Sequence, residues 1–169
     1  MRAAGGEAAA DLDRRVSASE SVTEDLGAAL APALDLGDLV VLVGPLGAGK
    51  TRFVAGLARG LNARSRVRSP SFTLINEYAG DRLLLHLDLY RLEPREVEGL
   101  GLEEQIERGV LVVEWGEKLP PAVRREALTL RFEILSASER AITARAAGPR
   151  GLDLLARWRA LAPPPARGG

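Results

Sequence analysis

The sequence has no cysteine, which excludes a disulfide scaffold and any thiolate metal site. It has no excess of either charge: 23 basic residues balance 23 acidic ones. No global field therefore draws the chain to nucleic acid or to an acidic membrane, and any contact with RNA has to be local or made through a partner. Long apolar runs are missing too. Stretches such as Leu39 to Val43 fall far short of a bilayer span. The N-terminal stretch carries Glu7, Asp11 and Asp13 and no apolar h-region, so a secretory signal is not expected. No internal repeat is visible.

What is present is a chain of 169 residues, 46% apolar, enough to bury a core. It reads as a soluble, cytoplasmic protein with no membrane contact. The boundaries expected are a disordered extension over 1–11, one domain over 12–161, and a disordered Pro-rich tail over 162–169. The basic residues are nearly all arginine and alanine is abundant, a bias of composition rather than a sign of function.

Ser19 or Ser21 is placed to cap a helix running through Leu26, Leu30 and Leu34. Leu39 to Val43 is a continuous apolar run of β-favouring residues, as in a parallel strand covered on both faces. From Lys50 to Leu61 the apolar residues recur at helical spacing. Phe72–Tyr78 and Arg82–Leu89 suggest two strands joined at Gly80-Asp81. Short helices are expected at Arg95–Leu100 and Glu103–Glu107, followed by a buried strand at Val110–Val113. Leu128 to Leu135 alternates, with Leu128, Leu130, Phe132 and Ile134 on one face, and Ala141–Ala147 is placed to pair with it antiparallel. A helix over Leu152–Leu161 completes the order. The fold class is α/β: a mixed sheet, parallel and antiparallel, flanked by helices, and the glycine-rich turn Gly44–Gly49 between the Leu39–Val43 strand and the helix from Lys50 makes it P-loop NTPase-like.

Between the first buried strand and the second helix lies Gly44-Pro45-Leu46-Gly47-Ala48-Gly49-Lys50-Thr51, which satisfies the Walker A pattern in the context it requires. Glycines turn backbone N–H groups toward phosphate oxygens, and the helix start adds the positive end of its dipole. Lys50 is placed to reach the β- and γ-phosphates, and the Thr51 hydroxyl to bind Mg²⁺. A glycine-rich turn that binds nothing is the plain alternative, and strand, loop, Lys-Thr and amphipathic helix in sequence argue against it.

Thr51 needs a carboxylate partner to hold a metal. Asp88 ends the run Leu83–Leu87 and Glu114 ends Val110–Val113, so both fall at strand carboxyl ends, where ligands of such sheets bind. Either can equally be a solvated acid at a strand exit. Ser69-Pro70-Ser71-Phe72-Thr73 has hydroxyls at Ser69, Ser71 and Thr73 where switch segments sense a γ-phosphate, or is an ordinary loop. His86 reads first as a structural residue within its strand. Trp115 fits a core, an interface or a nucleotide neighbour alike.

Together the Walker A segment, Ser69-Pro70-Ser71-Phe72-Thr73, His86-Leu87-Asp88-Leu89-Tyr90-Arg91-Leu92 and Val113-Glu114-Trp115 resemble, in order and spacing, the bacterial TsaE (formerly YjeE) family. The similarity spans roughly residues 16–147. It implies a small ATPase using ATP or ADP with Mg²⁺, supporting synthesis of threonylcarbamoyladenosine beside the tRNA anticodon. The resemblance implies TsaB and TsaD as partners, tRNA contact only through their complex, and ATP turnover that resets it between rounds. Carried over by position, Lys50 and Thr51 bind phosphate and Mg²⁺, Asp88 is the Walker B-like acid, and Glu114 places metal or water. Glu20, Thr23, Trp115 and Arg140 fall near nucleotide-binding positions of the family. Members usually have two threonines after the lysine, and this chain has Arg52 in the second place. The Arg52 N–H remains available to the α-phosphate, so the change bears on affinity rather than on binding mode.

Two other functions fit the same loop. A small-molecule kinase should carry a basic lid and a base for an acceptor hydroxyl, and Arg64–Arg68 is basic but short. A nucleotide-dependent binding module would have no turnover of its own. Tyr90, Arg91 and Trp115 are candidate partner contacts.

Overall fold

A computed structural model of the chain describes residues 12–70 and 74–162. Among the described residues seven strands form one sheet: β1 (Leu12–Ser17), β2 (Leu39–Val43), β3 (Ile75–Tyr78), β4 (Leu84–Asp88), β5 (Val110–Glu114), β6 (Leu128–Ile134) and β7 (Arg140–Ala146). Five helices accompany them: α1 (Glu20–Leu30), α2 (Lys50–Gly60), α3 (Pro94–Glu98), α4 (Leu102–Arg108) and α5 (Gly148–Leu161). The strand order is β1-β7-β6-β2-β5-β4-β3. The four inner strands β6, β2, β5 and β4 run parallel, and antiparallel pairs close both edges. The mixed α/β sheet expected from the sequence is the one observed.

The apolar run of β2 explains its central place. Val40, Val41 and Leu42 are fully buried, because helices cover both faces of the strand. Alternation sends Val40 and Leu42 to one core, with Phe53, Leu57 and Trp158 from α2 and α5. Leu39 and Val41 enter a second core with Val97 and Leu102 from α3 and α4. Among the described residues, no helix is long and apolar enough to cross a membrane.

Several elements differ from expectation. Strand β1 has no counterpart in the sequence reading because its pattern is inverted. Leu12 and Val16 are 51% and 41% exposed, whereas Arg15 and Ser17 are buried. Arg15 survives burial by pairing with Asp13 at 2.8 Å. Helix α1 begins where expected, with Ser19 Oγ accepting from Val22 N at 3.2 Å, but stops at Leu30. A 3₁₀ turn over Ala31–Ala33, carrying Pro32, follows it, and Leu34 keeps its buried place from an extended backbone. The hairpin strands are shorter than expected, Ile75–Tyr78 and Leu84–Asp88. Ile134 is 47% exposed, because β6 outruns the helices that cover Leu128, Leu130 and Phe132. Helix α5 starts at Gly148, earlier than Leu152, with Pro149 in its first turn. The extension over 1–11, and the tail apart from Ala162, lie outside the described residues.

The crossing of α1 and α2 fixes the helix that follows the glycine loop. A Cβ on Gly56 would lie 2.0 Å from the Glu24 carbonyl oxygen, and one on Gly27 would lie 2.3 Å from that of Phe53. Neither carbonyl can yield, since both belong to helix backbone. Gly56→Ala is therefore expected to cost about 1–3 kcal/mol through overpacking, read as a lower urea midpoint. Gly99→Ala, whose Cβ would meet nothing nearer than 3.6 Å, is the matched control.

Candidate functional site

The loop over 44–49 leaves the carboxyl end of β2 and enters α2 at Lys50. Gly47 and Gly49 hold φ of +78° and +97°, a region that side chains rarely adopt, and this lets the chain curl around its own amides. Lys50, the first residue of α2, is 5% exposed and folds back over the loop. Its ammonium donates to the carbonyl oxygens of Gly44 and Pro45. It also sits 3.9 Å from the centre of the Trp115 ring, a cation–π contact. Burial lowers the Lys50 pKa, and the carboxylates of Glu114, Glu117 and Asp88 pull it back up.

Parallel pairing brings the acids to the same place. In the register, Leu42 of β2 faces Glu114 of β5, and Asp88 of β4 faces Glu114 in turn. The Thr51 hydroxyl donates to Glu114 Oε1 at 2.9 Å and to Oε2 at 3.2 Å. Glu114 is 3% exposed, and its Oε2 lies 2.8 Å from His86 Nε2. A carboxylate only accepts, so Nε2–H donates. His86 is fully buried, and its Nδ1 has no partner among the described residues.

Asp88 is placed differently. Its Oδ1 accepts from Tyr90 N at 2.9 Å. Burial raises its pKa above the usual carboxylate range; the Tyr90 N–H opposes this and the Glu114 charge adds to it. Trp115 turns the chain sharply after β5, with φ of +58°, and stacks on Tyr90 at 4.9 Å between ring centres. Lys118 Nζ donates to the Tyr90 and Leu92 carbonyls and holds that segment down.

On the other side of the loop a cleft of about 320 Å³ is lined by Glu20, Thr23, Gly47, Gly49, Arg52 and Arg140, among others. Arg140 reaches across from the start of β7 and donates to the Gly47 carbonyl at 3.2 Å. Thr23 turns its hydroxyl to Ser17 at 2.8 Å and its methyl toward Gly49. The Arg52 side chain pairs with Glu20 and Glu24 at 3.1 and 3.0 Å, which ties α2 to α1. Ser69 is exposed on the loop after α2, and Ser71 and Thr73 lie outside the described residues.

Glu20, Thr23, Lys50, Thr51, Asp88, Glu114, Trp115 and Arg140 thus converge around one loop. His86 stands closer to the chemistry than its reading as a plain structural residue allowed. Part of the signal was available, since His86 and Asp88 share parity on β4 and so a face, but the contact with Glu114 also needs β4 beside β5. Tyr90, expected as a candidate partner contact, lies against Trp115, and Ser138 in the cleft carried no local signal. The donor set of Thr51, Asp88 and Glu114 is all oxygen, which suits Mg²⁺. No group of three or more His, Cys, Asp or Glu among the described residues could hold a metal, so phosphate oxygens would have to complete the sphere.

Comparison with known proteins adds to this geometry. The profile of the family described as "Threonylcarbamoyl adenosine biosynthesis protein TsaE" matches residues 17–142, an interval that contains every residue of the site. The chain is 49% identical over 109 residues to the tRNA threonylcarbamoyladenosine biosynthesis protein TsaE of a Nostoc species, covering 61% of this chain and 67% of that one. It is 39% identical over 132 residues to the protein of the same name from Treponema pallidum, covering 77% and 98% respectively. The crystal structure of YdiB from Bacillus subtilis superposes with a TM-score of 0.73 at 32% identity, over 89% of this chain and 96% of that one.

The raised Asp88 pKa has a stability consequence. The folded state holds this proton more tightly than the unfolded chain does, so stability is gained at low pH and lost as pH rises through the raised value. At neutral pH the ionised carboxylate is a cost. Asp88→Asn, which keeps the acceptor for Tyr90 N, is expected to melt higher than the parent at pH 7. That advantage should shrink on acidification through the carboxyl's titration range. An equal gap at pH 4 and pH 7 would contradict it.

Proposed function

The chain belongs to the TsaE family of tRNA threonylcarbamoyladenosine biosynthesis, and from that membership we propose that it serves as the pathway's Mg²⁺-dependent ATPase. The observation that carries the proposal is the triangle of Lys50, Thr51 and Glu114 at the mouth of the glycine loop. The loop amides and the N-terminus of α2 take up phosphate oxygens. Lys50 exchanges the carbonyls of Gly44 and Pro45 for the β- and γ-phosphates, which better match an ammonium. Thr51, Glu114 and Asp88 would hold the metal, which when bound would supply positive charge beside the phosphates. His86 keeps the Glu114 carboxylate oriented while Thr51 engages it. Glu20, Thr23, Arg52 and Arg140 border the rest of the nucleotide from the neighbouring cleft.

Slow turnover by the isolated chain follows from the same geometry. Both Glu114 oxygens are hydrogen-bonded, to Thr51 and to His86, Asp88 is assigned to the metal, and no further side chain at the loop among the described residues is an evident base for water. TsaB and TsaD are the partners proposed to complete the site, with ATP turnover resetting their complex while it acts on tRNA. A binding module without turnover is the reading this same observation favours next.

Lys50→Ala is expected to weaken ATP binding by about a hundredfold, the scale of a lost charge-assisted contact of ~3 kcal/mol, measured by calorimetry. Glu114→Ala should leave binding measurable and lower steady-state hydrolysis by about 10²-fold, and normal turnover in that variant would remove Glu114 from the site. Capture of TsaB and TsaD should differ between ATP, ADP and no nucleotide. Hydrolysis that stays flat when both partners are added would favour the binding module.

A further inference from the structure

A second concavity shares Arg52 with the nucleotide cleft and is otherwise outside it. It is a groove of about 710 Å³ between α2 and the segment 63–67, with Arg52, Arg59, Arg64, Ser65 and Arg66 along its walls. The acids at its rim are already engaged: Glu24 pairs with Arg52 and Arg59, and Asp25 pairs with Arg59 at 2.6 Å. Arg64, Arg66 and the adjacent Arg68 are exposed, and none forms an ion pair among the described residues. Three exposed guanidinium groups without an ion pair among the described residues fall within five residues, a local cluster in a chain whose charges balance overall.

The segment that carries them is built rather than slack. Arg64 N donates to the Ala79 carbonyl at 3.0 Å, and Arg68 N donates to the Tyr78 hydroxyl at 3.0 Å. That hydroxyl in turn donates to the Arg68 carbonyl at 3.1 Å, and Tyr78 is itself buried. Ala63 and Val67 pack against the core. The backbone is thus pinned at both ends and by its apolar residues, with Arg64, Arg66 and Arg68 left to solvent.

We propose that this groove binds the phosphodiester backbone of RNA. Guanidinium forks match phosphate bidentately, and the Ser65 hydroxyl is a further donor of the kind that contacts nucleic-acid backbones. The floor separates this partner from an acidic protein surface. Its apolar lining, Ala55, Ala58, Ala63 and the half-buried Val67, offers no aromatic or large aliphatic anchor, which a protein interface needs at its centre and a polyanion does not. Family membership places the chain in a pathway that acts on tRNA. The contact is local, as the balanced net charge requires.

The test uses the full chain without nucleotide, so its outcome is independent of the ATPase reading. Fluorescence anisotropy with a labelled tRNA transcript, from about 50 to 200 mM salt, should show salt-dependent binding. The double reversal Arg64→Glu/Arg66→Glu should weaken it at least about tenfold and reduce the salt slope by about two. Arg66→Ala, a milder change, should weaken it in the same direction, and ATP affinity should stay at the parent value in both variants. Absence of tRNA binding by the parent chain, or an affinity and slope unchanged in the reversal, would overturn the proposal. So would a reversal that impairs capture of TsaB and TsaD while tRNA binding persists, which would make the groove a protein-docking surface.

Discussion

The Glu114 carboxylate is where the sheet and the glycine loop meet. It ends β5, in register with β2, so its height relative to the loop is set by ladder hydrogen bonds rather than by its own side chain. Thr51 reaches it from the start of α2, and His86 from β4 on the other side. Three elements distant in sequence therefore share one buried acid. Leaving such an acid without partners would cost several kcal/mol, so each partner constrains the other two. The loop geometry depends on sheet register as much as on its glycines.

The same site carries charge that the protein alone balances poorly. Burial shifts Lys50 toward its neutral form and Asp88 toward its protonated one, so both ionised groups sit where solvent serves them badly. Trp115 adds a backbone in the left-handed region, of the kind that persists only where the surroundings over-determine it. Its ring lies over the Lys50 ammonium with Tyr90 behind it. A polyanion with its metal would supply the counter-charges that this arrangement lacks, which is how a binding site and a stability deficit come to coincide.

Much of this was legible in the sequence, and the exceptions have physical causes. The buried strands β2 and β5 show as apolar runs because helices cover both of their faces. Lys50 and Thr51 show because their motif is local, and Asp88 and Glu114 show because strand ends collect ligands. β1 is hidden because its buried residues are Arg15 and Ser17, whose contacts with Asp13 and Thr23 no periodicity reveals. His86 is undervalued for a related reason. Its role depends on β4 lying beside β5, and strand order is not written in any single segment. Glu20, Thr23 and Arg140 emerge only by resemblance to relatives, since they reach the loop from α1 and from the start of β7.

The pairing of β1 with β7 sets a schedule for assembly. Leu12 faces Arg145 in that register, so the earliest of these strands to be synthesised has as its neighbour the latest. Until β7 emerges from the ribosome, β1 can only wait, and its contact is among the slowest kinds to form. Asp13, Arg14 and Arg15 suit that interval, since a charged ribbon resists pairing with the wrong edge. The remaining strands can meanwhile order the glycine loop, with β1 sealing the border as the last stitch.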